Sequence, residues 1–109
     1  MELREALEYL EDGHAIWKPD AAREICEAVG ARYSPEALER PYTTEAHPMG
    51  VKMRPGQEGQ KGVWGLTLAH YAAAQLGVVD KALSFLGKGS QAREYARVIG
   101  EALAQQKEE

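Results

Sequence analysis

His14, His47, His70 and the single Cys26 are the side chains of this chain best suited to acid–base, nucleophilic or soft-metal chemistry. Two metal ligands share one helix face only at a spacing of three or four residues, and no histidine here has a second histidine or cysteine at that distance. No metal site and no cofactor is therefore expected. Cys26 falls on an apolar stripe with Ala22, Ile25 and Val29, where a thiol serves as a packing residue. His70 stands in the most apolar stretch of the chain and is expected to be a core histidine. A phosphate-binding loop needs the order Gly-Lys-Ser/Thr between a strand and a helix. In the stretch from Gly56 to Gly62, Lys61 precedes a glycine instead. No catalytic residue is assigned, and the chain is not expected to be an enzyme.

Binding chemistry is better represented. Between Met49 and Gly65, five glycines and one proline interrupt regular structure, and among them stand Lys52, Met53, Arg54, Lys61 and Trp64. Cations beside an aromatic and a methionine are the anchors that protein interfaces favour, so these five residues form the expected partner-binding site. The alternative occupant is nucleic acid, held by Lys52, Arg54 and Lys61 with Arg40. Pro48 and Pro55 bracket Gly50 to Arg54, a piece able to pair as a strand with Val63-Trp64 across the Gly-rich turn.

Helices must carry this insertion. Leu3, Ala6, Leu7 and Leu10 repeat at helical spacing and predict a helix over 2–12, stopped by Gly13. Ala15, Ile16 and Trp17 read as a short apolar link. Lys18-Pro19-Asp20 leads into a helix over 20–30, with Gly30 as its C-terminal glycine. Ser34-Pro35-Glu36 starts a short helix over 34–40, because serine caps and proline suits the first turn. A Pro/Gly-rich loop or hairpin follows over 41–65. Leu66 to Leu76 is apolar on nearly all faces, which predicts a buried central helix over 67–77. Val78, Val79, Ala82, Leu83, Phe85 and Leu86 predict a further helix over 79–87, and Ala92, Tyr95, Ala96, Ile99, Ala102 and Leu103 a last one over 90–106. The expected fold is mainly α: a single-domain bundle of about five helices with a Gly-rich loop or short β-hairpin inserted.

Two stretches resemble known motifs. Ala22 to Gly30 followed by Ser34 to Arg40 is similar to a helix-turn-helix, with Gly30 at the turn. That resemblance implies DNA recognition by 34–40, with Val51 to Trp64 as a wing, although Glu36 and Glu39 would repel phosphate. Gly65-Leu-Thr67-Leu-Ala-His70-Tyr-Ala72-Ala73 resembles the opening of an ankyrin repeat, with Leu68 where that motif has proline. It implies a second helix within Val78 to Gly89, and protein recognition.

At 109 residues the chain suits one domain with a modest core, and 44% hydrophobic with 28% charged residues is ordinary globular composition. Charge is divided along it. Residues 1–45 hold eleven acids against five bases, a net of −6, whereas 46–97 hold seven bases against three acids, a net of +4. Such halves can neutralise each other within one fold or leave a basic patch for an anionic partner. The acidic start Met-Glu-Leu-Arg-Glu lacks the form of a signal peptide, and no apolar run reaches membrane-spanning length. A lone cysteine fits a reducing compartment. The expectation is a small cytoplasmic, non-enzymatic interaction module that binds a protein partner or itself as a weak homodimer, without membrane contact. The alternative is a nucleic-acid-binding accessory or regulatory protein.

Overall fold

The computed structural model describes residues 1–34, 51–53, 61–83 and 86–108, except for the side chains of 51–53, 61–62, 88 and 107–108. Its elements run α1 (Leu3–Leu10), β1 (Ile16–Trp17), α2 (Pro19–Ala28), β2 (Val51–Met53), β3 (Lys61–Trp64), α3 (Gly65–Gln75), a 3₁₀ turn (Val79–Lys81) and α4 (Lys88–Glu108). The chain is mainly helical, and no described helix is long and apolar enough to cross a membrane.

α3 holds the centre because its sequence gives it no solvent face to prefer. Leu66, Thr67, Leu68, Ala69, Tyr71, Ala72 and Ala73 are all buried, and α1, α2, α4 and β3 pack around them. α1 contributes Ala6 and Leu10, and α2 contributes Ala22, Ile25 and Cys26. The alanines on α3 let these neighbours approach closely, while the leucines on either side fill the space between. Leu76, at the helix end, is only partly buried.

Both α2 and α3 end in the same device. Gly30 (φ +79°) and Gly77 (φ +72°) take the left-handed conformation that glycine adopts without a Cβ penalty. Gly30 N–H donates to Glu27 O and Ala31 N–H to Cys26 O, and Gly77 N–H donates to Ala74 O and Val78 N–H to Ala73 O. These are Schellman pairs, which satisfy carbonyls left open by the last turn. Ala31 and Val78 are buried just beyond, which turns the chain back onto the core.

Two elements differ from the sequence expectation. The link at Ile16-Trp17 is a strand: it pairs antiparallel with β3, Ile16 opposite Trp64 and Trp17 opposite Val63, in a sheet of order β1-β3-β2. Lys18, preceding Pro19, is extended (φ −64°, ψ 152°), as residues before proline are, and it stands as the N-cap of α2, so Lys18-Pro19-Asp20 leads into the helix as the sequence suggested. The helix expected over 79–87 is a 3₁₀ turn of three residues, after which Ala82 is extended. Here α4 side chains take the backbone groups that a helix would pair internally, since Gln91 and Glu94 bond to Leu83 and Leu86. The ankyrin-like second helix is therefore not formed. The described residues give four helices and a small three-stranded sheet; a fifth helix and a bundle are not shown among them. Residues 35–40, the body of the expected third helix and of the recognition helix in the helix-turn-helix reading, lie outside the described residues, as does His47.

The joint between α1 and α3 is unusually close. Gly65 N–H donates to Ala15 O at 2.7 Å and Leu66 N–H to Gly13 O at 3.3 Å, so loop carbonyls cap the start of α3. A Cβ on Gly65 would lie 1.9 Å from the carbonyl oxygen of Asp12. Only glycine lets these two backbones meet.

Candidate functional site

The hairpin carries four of the expected binding residues. β2 and β3 pair antiparallel with Val51 opposite Val63, Lys52 opposite Gly62 and Met53 opposite Lys61. Alternate positions of a strand share a face, so 52 and 64 fall on one face of the sheet and 53 and 61 on the other. By register, the four described positions are thus divided between the two faces of the sheet. Trp64 is half-buried where β3 hands over to α3, and Arg54 and Arg40 lie outside the described residues.

Three of the four reactive side chains, His14, Cys26 and His70, lie among the described residues. Cys26 is buried in the core, and burial, with Glu27 nearby as a lesser cause, pushes its thiol up to about 12. At neutral pH it is almost wholly protonated and a poor nucleophile. His70 stacks edge-on against Tyr95, with ring centroids 5.2 Å apart. Among the described residues no group of three histidine, cysteine, aspartate or glutamate side chains is placed to hold a metal ion.

The acidic and basic halves meet in a cleft of about 300 Å³ between the end of α1 and the start of α4, lined by Glu8, Glu11, Asp12, Gly13, His14, Gly89 and Arg93. Asp12 Oδ1 accepts the His14 backbone N–H at 3.1 Å, which fixes the loop, and a Cβ at Gly89 would stand 3.8 Å from His14 Nε2. Arg93 thus brings one charge of the basic half against three carboxylates of the acidic half. All these charged side chains are exposed, so water and salt screen them.

A third feature lies beyond the 3₁₀ turn. Gln91, a buried polar residue, donates from Nε2 to Leu83 O at 2.6 Å and accepts the Leu86 N–H at 3.3 Å, while Glu94 accepts the Leu83 N–H at 3.3 Å. Arg97 bonds Glu94 at 2.6 Å and Glu101 at 2.9 Å, so the acceptor is itself held in place. Arg97, followed by the Leu83 amide, lowers the Glu94 carboxyl below its usual 4.5. The backbone at 83 and at 86 is thus held from α4 like a ledge, with Leu83 64% and Leu86 40% exposed, while residues 84–85 between them lie outside the described residues. The apolar spacing of 78–86 concealed it by reading as a helix face, and the signal available was the glycine at either end, Gly77 and Gly87. No family model, curated protein or solved structure matches the chain.

Proposed function

We propose that the chain is a small, non-enzymatic interaction module of a reducing cytoplasmic compartment, binding a protein partner or itself. The observation that supports this reading is the ledge. Two leucines are displayed to solvent on backbone held by three side-chain hydrogen bonds, at positions where a continued helix would have turned apolar residues inward. A single exposed leucine is common on protein surfaces, but here two stand where their own backbone groups are held, and held backbone loses less entropy on docking.

The test uses a photo-crosslinking residue in place of Leu83, with a second at exposed Ala104 as control. Polypeptide adducts at 83 that are absent at 104, and that disappear when Leu86→Asp is added, support the reading. Equal labelling at both positions counts against it. Contact with nucleic acid through Lys52, Arg54, Lys61 and Arg40 is the alternative, and it stands on the sequence pattern alone.

A further inference from the structure

We draw no further inference here: the strongest candidate, the cleft between the end of α1 and the start of α4, is a cluster of exposed carboxylates facing a helix N-terminus, and nothing in the structure shows what would occupy it.

Discussion

Glycine positions separate three physical effects that composition alone merges. Gly65→Ala must push two backbones apart, because its Cβ would stand 1.9 Å from Asp12 O, and the expected cost is about 3 kcal/mol or more. Gly77→Ala meets nothing within 4 Å but keeps φ at +72°, so only conformational strain remains, about 1–2 kcal/mol. Gly100→Ala has neither problem. It lies inside α4 and its Cβ would meet Leu7 Cδ1 at an ordinary 3.5 Å, so a gain of about 0.5–1 kcal/mol is expected from helix propensity. Thermal or denaturant unfolding of the three variants should rank them in that order, and a stable Gly65→Ala would refute the close joint. Burial makes a parallel distinction on α3. Leu68 is fully buried and Leu68→Ala should cost about 2–5 kcal/mol, whereas Leu76, partly exposed at the helix end, should cost clearly less.

At the level of elements, sequence pattern was sufficient where apolar spacing or a bracketing proline or glycine marked a group whose partner lay nearby in the chain. The apolar faces of α1 and α2 could be read from Ala6, Leu10, Ala22, Ile25 and Cys26, and the glycine ending α2 from its place after Val29. That Val51–Met53 pairs with the strand holding Val63-Trp64 was also visible, through prolines and glycines that bracket it, although the partners are Lys61, Gly62 and Val63 while Trp64 faces Ile16. β1 was not, because two residues show no alternation and its hydrogen-bond partner lies in β3, far along the chain. The ledge was missed for another reason: Leu83 and Leu86 find their partners close by, on Gln91 and Glu94 of the next helix, but these are polar side chains bonding to backbone, which apolar spacing does not register. Gln91→Ala should therefore loosen the ledge, leaving Leu83 O and Leu86 N–H without their side-chain partner at a cost of about 1–2 kcal/mol, read as faster amide exchange at Leu86. Acid should act through Glu94. Its folded value lies below 4.5, so its contribution is present above that value and is lost as pH falls through the lowered one. Glu94→Gln should remove this part of the acid dependence, and an unchanged stability profile below pH 4.5 would count against the Arg97–Glu94–Leu83 chain.

For the whole molecule, the question is what the division of charge leaves available. The apolar stripe of α4 is turned inward, since Ala92, Ala96 and Ile99 are buried. Arg93 of the basic half is likewise placed among Glu8, Glu11 and Asp12, so part of the positive charge faces the chain's own acids. Duplex DNA would have to be held by Lys52, Arg54 and Lys61 against a net charge of −4. Phosphate contacts release counterions, so log affinity should fall with log salt by nearly one unit for each phosphate neutralised. Binding at physiological salt is expected to be weak or undetectable. Changing the three residues together to alanine should flatten any slope seen at low salt while leaving the unfolding midpoint nearly unchanged, because exposed charges add little to stability. A protein contact through the ledge predicts the opposite sensitivity, strong to Leu83 and Leu86 and slight to those three cations. Tight, sequence-selective retardation of duplex DNA at physiological salt, lost in the triple variant and kept in Leu83→Asp, would make nucleic acid the better reading of this chain.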